Sequence, residues 1–230
     1  MEATLQYPIS RVKKGESGMN NIEKIANEAM NPEEFADKYL DYLTKLVKVL
    51  DRGKIAQFIK ELEEAYEKGN TIFIAGNGGS AATASHMAND FGMDVLKKGG
   101  GDKAFRALAL TDNVPLITAI GNDDGYENIF VNQLRVHYRE GDKLIVISAS
   151  GNSPNVLRAA EWVKEKGGKV MGLVGFDGGK LKEVCDIIIH VETPKGEYGP
   201  VEDIHTILDH LVANWLQYRL KKAFQNRLHK

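Results

Sequence analysis

Five short apolar runs, at 71–75, 106–110, 143–147, 169–174 and 186–191, alternate with helical patterns through the middle of the chain. This alternation limits the fold more than any other feature. Runs that are apolar at nearly every position are buried on both faces, the condition of strands in a parallel sheet. The segments near 80–91, 114–120, 125–137, 154–166 and 179–184 instead space their apolar residues for a helix. Five strands with helical crossovers predict a doubly wound α/β sandwich. A long helix from 201 to about 228 closes the chain.

The segment before the sheet is helical. Asn31-Pro32-Glu33-Glu34 supplies a cap, a first-turn proline and early acidic residues. Phe35, Tyr39, Tyr42, Leu46 and Leu50 follow at helical spacing, and a second helix at 54–68 stops at Gly69. These predict an N-terminal helical hairpin. Residues 1–30 are polar and read as a mobile tail, with a short helix starting at Asn21. No repeat or linker divides 31–230, which reads as one domain.

Ligands of such sheets bind beyond the carboxyl ends of the strands, where the strand order reverses. Glycine marks two of these places: of 23 glycines, 19 lie between Gly76 and Gly199, and among them Gly76, Gly78, Gly79 and Gly151 follow predicted strands. After the first strand comes Gly76-Asn77-Gly78-Gly79-Ser80, and after the third Ser148-Ala149-Ser150-Gly151-Asn152-Ser153-Pro154. Both lead into helices, with Ser153 read as a cap and Pro154 as the first helical residue. Helix starts present unpaired N–H groups, serines add donors, and glycines let the backbone approach closely, so both loops suit a phosphate. The first loop alone also fits a dinucleotide fingerprint. That reading lacks its acidic residue about 20 positions on, because Asp112 comes too late. A second, serine-rich loop favours a compact phosphorylated ligand.

Composition excludes other classes. Lys and Arg number 30 against 32 Asp and Glu, a net charge of −2, so no basic surplus exists for nucleic acid. The lone Cys185 can form neither an intrachain disulfide nor a thiolate metal cage. No apolar run approaches the ~20 residues that span a bilayer, and no signal-peptide stretch begins the chain. The expectation is a cytoplasmic protein without membrane partners.

Six histidines remain as candidates for chemistry. His86 and Asp90 lie four apart and share a helix face. On the last helix Asp209 falls near Glu202 in azimuth and His210 about 80° away, while His205 and His210 are about 140° apart. Glu202 and His210 are therefore kept as candidates and His205 is assigned to packing or to support from behind. His137 and His190 read as structural, and His229 as part of a frayed end.

These motifs, together with Gly121-Asn122-Asp123-x-Gly125-Tyr126 and the helix from Glu202 to His210, resemble the sugar isomerase (SIS) domain family over about 31–220. The pattern is most similar to its phosphoheptose isomerase branch. The resemblance implies a flavodoxin-like sandwich, a zinc ion held by His86, Asp90, Glu202 and His210, and aldose–ketose isomerisation of sedoheptulose 7-phosphate to D-glycero-D-manno-heptose 7-phosphate through an enediol. Asp90 would be the base and His210 its acid partner. Substrate contacts would come from Asn77, Gly78, Gly79, Ser80, Asn122, Asp123, Ser148, Ala149, Ser150, Ser153 and Glu202. It also implies a homotetramer with sites at subunit interfaces, although the seam of Ile204, Leu208, Leu211 and Trp215 fits core packing equally well. Three positions depart from the family pattern: Asp90 stands for Glu, Glu202 for Gln, and Ala149 for the usual Thr. Asp90 loses about one C–C bond of reach, ~1.5 Å, which Glu202 could restore as an alternative base. Two rival readings remain open, a different sugar phosphate and a non-enzymatic scaffold like the DnaA initiator-associating protein. Retention of the metal set weighs against the scaffold.

Overall fold

The computed structural model describes residues 18–100 and 103–228. Five parallel strands, β1 (Thr71–Gly76), β2 (Arg106–Ala109), β3 (Lys143–Ser148), β4 (Lys169–Phe176) and β5 (Ile187–Glu192), form one sheet in the order β2-β1-β3-β4-β5. The chain leaves β1 for one edge and returns to pair β3 on the other side of β1, so the order reverses between β1 and β3. The two glycine- and serine-bearing loops leave the carboxyl ends of these neighbouring strands.

The period-two pattern inside β1 explains the layers. Ile72 and Ile74 face one core, shared with α2 (Pro32–Val49), α3 (Arg52–Lys68), α4 (Gly79–Asn89) and α10 (Tyr198–Leu228). Phe73 and Ala75 face the opposite core, under α6 (Val114–Asp123), α7 (Val131–His137), α8 (Pro154–Glu165) and α9 (Leu181–Val184). β1 and β3 are buried at every position, as double-sided burial requires. β2 differs from expectation: it alternates exposed and half-buried residues because it is an edge strand with helices over only part of its surface.

The helical hairpin is α2 and α3, and its seam is bonded to the domain as well as packed on it. Leu46 and Leu50 are buried, while the Tyr39 hydroxyl donates to Asp203 Oδ2 at 2.5 Å on α10. The helix expected from Asn21 is α1 (Asn21–Glu28), closed by a reciprocal capping box between Asn20 and Glu23. Its Asn21 amide donates to Glu197 Oε1 (2.5 Å), and the Tyr42 hydroxyl donates to Glu197 Oε2 (2.5 Å). Residues 18–28 are thus tied to the start of α10. The rest of the expected tail, 1–17, lies outside the described residues, as does His229. No helix among the described residues is long and apolar enough to cross a membrane.

Candidate active site

The helix α4 links two polar sites. At its beginning, Gly78 takes the cap position with φ 54° and no side-chain cap, which leaves the first amides of the helix for an outside acceptor. Beside it, the loop after β3 folds on its own serines: Ser148 Oγ accepts from the Gly151 amide (3.2 Å) and Ser150 Oγ from the Asn152 amide (3.3 Å). Gly151 has φ 61°, and a Cβ there would collide with the Gly178 carbonyl. Ser153 is the cap residue of α8 and Pro154 follows it, as expected, yet the Ser153 hydroxyl makes no capping bond. It lies 3.4 Å from Ser148 Oγ, so it faces the pocket instead of closing the helix.

Two asparagines join the loops. Asn77 Nδ2 donates to Asn155 Oδ1 (2.8 Å), and Asn155 Nδ2 donates back to Asn77 Oδ1 (2.9 Å). The Tyr126 hydroxyl donates to the same Asn77 oxygen (3.1 Å). Between the loops lies a cavity of about 130 Å³ lined by Asn77, Ser80, Ser148, Ala149, Ser150, Ser153, Tyr198 and Glu202. Glu202 reaches it from α10 and lies against Gly79, where any side chain would collide with its carboxylate. Burial, helped by the charge of Asp203, raises the Glu202 pKa above its ordinary value. Asn122 and Asp123 do not line this cavity; they sit exposed at the end of α6 and bond each other (2.7 Å).

At the other end of α4 the backbone widens into a π-helical turn over Asp90–Asp94, in place of the regular helix expected to 91. Such turns are frequent at functional sites. Asp90, 8% exposed, accepts from Asn89 Nδ2 (3.1 Å) and faces two imidazoles. His86 Nε2 is 3.5 Å from Asp90 Oδ1, His210 Nε2 is 4.0 Å from Asp90 Oδ2, and the two Nε2 atoms are 3.4 Å apart. Asp209 completes the group: His86, Asp90, Asp209 and His210 each offer a ligand atom within 4.8 Å of the others. Both Asp209 oxygens are buried without a hydrogen-bond partner. Burial and the neighbouring Asp90 push its pKa up to about 7. Tetrahedral ligands at ~2.1 Å from an ion lie ~3.4 Å apart; the His86–His210 separation (3.4 Å) and the His86–Asp90 separation (3.5 Å) match that spacing, while His210 lies farther, 4.0 Å, from the other Asp90 oxygen. Glu202, expected among the ligands, is not part of this group.

Behind the cluster His205 is fully buried, and neither ring nitrogen makes a hydrogen bond of good geometry, the Val174 backbone being its polar neighbour. Burial lowers its pKa to about 4, opposed only in part by the Val174 backbone. Elsewhere, His190 Nε2 bonds the Phe176 carbonyl (2.9 Å) and His137 is exposed at the end of α7.

The SIS domain profile matches residues 34–175. The chain belongs to the SIS domain family. Among SIS proteins it is similar to the phosphoheptose isomerase of Aneurinibacillus thermoaerophilus, with 42% identity over 69% of this chain and 78% of that one. The phosphoheptose isomerase of Rhodospirillum rubrum is 39% identical over 71% of this chain and 84% of that one. The fold superposes on the phosphoheptose isomerase of Neisseria gonorrhoeae with a TM-score of 0.72 and 29% identity, covering 82% of this chain and all of the other. The Francisella tularensis enzyme gives 0.70 and 27% over the same shares.

Within this SIS domain, the sequence reading missed Asn155, Tyr126 and Asp209. Tyr126 stands inside a quoted motif and Asn155 directly follows the second loop, but only the folded loops reveal that they converge on Asn77. Asp209 had been placed near Glu202 on the helical wheel without being assigned a role.

Proposed function

We propose that this chain is a metal-dependent aldose–ketose isomerase acting on sedoheptulose 7-phosphate and yielding D-glycero-D-manno-heptose 7-phosphate. The observation that carries this is the pairing of a serine-lined anion pocket and an imidazole–carboxylate cluster along one helix. Gly79 and His86 are seven residues apart, ~10 Å along α4, a span that an extended sugar phosphate can bridge. The names of the relatives, at about 40% identity over most of their length, support the same substrate.

In this reading Ser148, Ser150, Ser153 and the first amides of α4, with Asn77, Gly78, Gly79 and Ser80, hold the phosphate. Binding at that remote end positions the carbonyl carbons. Asn122 and Asp123 would contact the substrate only if it extends past Tyr126 toward α6. A carboxylate takes the proton from the carbon next to the carbonyl and returns it to the former carbonyl carbon. Asp90 and Glu202 are the candidates, and the raised pKa of Glu202 suits that exchange. His210 moves the hydroxyl proton between the two oxygens. The net change is a shift of two hydrogens, with no external oxidant or reductant. A divalent cation held by His86, Asp90 and His210 would supply positive charge at the enediolate oxygens. Zinc suits imidazole and carboxylate donors.

The apolar stripe of Ile207, Leu211, Trp215 and Tyr218 stays exposed on α10 and supports self-association through this helix, which in this reading builds a cytoplasmic homotetramer with sites near subunit contacts. Ile204 and Leu208, from the same expected seam, are core residues. Incubating metal-loaded protein with sedoheptulose 7-phosphate in D₂O should give the aldose with deuterium at the exchanged carbon. Absence of both product and label would overturn the assignment. A second reading, a different sugar phosphate, is favoured by the shorter Asp90 and by Ala149. A panel of five- to seven-carbon sugar phosphates separates the two.

A further inference from the structure

We propose that Asp209, rather than Glu202, is the fourth protein ligand of the metal centre, and that Glu202 is thereby free to face the anion pocket. This rests on the reading of the histidine–carboxylate cluster as a metal site. Two independent observations meet at Asp209. Its carboxylate is one of four side chains whose ligand atoms gather within 4.8 Å, alongside His86, Asp90 and His210. It is also fully buried, with neither oxygen hydrogen-bonded. A buried polar group normally has a partner, and a carboxylate beside a second carboxylate is the arrangement a cation satisfies. Asp90 by contrast already accepts a bond from Asn89.

The placement of Glu202 points the same way. On α10, Asp209 lies about 20° from Glu202 in azimuth but nearly two turns further on, ~10 Å along the axis. Asp209 is therefore level with His210 and the π turn, while Glu202 is level with Gly79 and the serines. One helix face thus presents two carboxylates at two heights. The lower faces the phosphate loops and the upper faces the imidazoles. Asp90 is shorter than the Glu of the family pattern, so the ligands on α10 must approach it closely, and Asp209 is next to His210 in the chain.

The test reads binding and spectroscopy, not turnover. Wild type, Asp209→Asn and Glu202→Gln are stripped of metal and titrated with Co²⁺ against a chelator. The expected result is at least a tenfold loss of affinity in Asp209→Asn and less than a threefold change in Glu202→Gln. Asp209→Cys loaded with Co²⁺ should show a thiolate-to-cobalt charge-transfer band that wild type and Glu202→Cys lack. Wild-type affinity in Asp209→Asn, or a band in Glu202→Cys alone, overturns the assignment. A band in both cysteine variants keeps Asp209 as a ligand and overturns the exclusion of Glu202. If neither shows a band, the Asp209→Asn titration decides. Failure of wild type to bind Co²⁺ sinks the metal reading itself. Normal binding through Asp209 without isomerisation sinks only the proposed activity.

Discussion

The anion pocket at the start of α4 draws most of its donors from two short contiguous stretches, 77–80 and 148–153, whereas the cluster at the other end joins residues 124 apart, His86 and His210. The pocket is neutral apart from Glu202 and is built from hydroxyls and backbone amides. The cluster concentrates two carboxylates and two imidazoles and leaves one carboxylate buried without a partner. Donor loops of the first kind hold a ligand by many modest bonds, so losing one weakens binding in proportion. A charged cluster acts as a unit, and removing a member disables the rest. The sharpest way to break this comparison is Asp90→Asn. It should lower kcat by ~10³-fold, within the range for a positioned acid–base group, while leaving the pocket intact. Steady-state kinetics with metal content measured in parallel checks it. A loss below tenfold would show that the cluster does not act as a unit.

The same contrast explains what was legible in the sequence. Gly76 to Ser80 and Ser148 to Pro154 are local patterns at predicted strand ends, so chain order alone located the pocket. The sheet was equally readable, because Ile72, Ile145, Met171 and Ile189 belong to runs whose burial leaves little choice of architecture. His86 and Asp90 could be paired by helical spacing. The partners from α10 could not be ranked, because an ideal wheel gives azimuth but not which turn of α10 lies opposite the π turn. That height depends on how α10 packs across α4 and α5 (Val95–Gly99). Asn155 was hidden for a related reason: its value lies in a reciprocal bond to Asn77, 78 residues away.

Burial at the cluster end makes a second, smaller effect measurable. His205 has a pKa near 4 in the folded chain against an ordinary 6.5. Its neutral form is unpenalised above pH 6.5. As pH falls from there toward 4, the unfolded chain takes up a proton that the folded chain cannot, and stability drops by up to about 3 kcal/mol. Asp209, pushed up to about 7, has the opposite slope: its folded form keeps a proton that the unfolded chain releases as pH rises from about 4. Comparison with His205→Leu in the metal-free protein isolates the histidine. Urea unfolding at pH 7 and pH 4.5 should show wild type losing stability relative to the variant at the lower pH. A pH-independent difference would mean that His205 is solvated when the protein is metal-free.

The smallest effect is expected at the pocket, from Ser153→Ala. Its hydroxyl makes no capping bond to α8, and the Pro154 that follows sets the first helical φ regardless of the side chain at the cap. Removing the hydroxyl should therefore leave thermal stability within ~0.5 kcal/mol, below the usual cost of deleting a serine cap. One lost hydrogen bond to a charged phosphate is worth ~1.5 kcal/mol, about tenfold in affinity. Because Ser148, Ser150 and the α4 amides remain, the change should appear as a raised KM with kcat retained within about twofold. Inorganic phosphate inhibition should weaken by a similar factor, which reads the pocket without the sugar. If kcat falls while KM holds, the hydroxyl is engaged at the reacting carbons and the division of labour along α4 is wrong. If stability drops by ~1 kcal/mol, Ser153 is a helix cap after all.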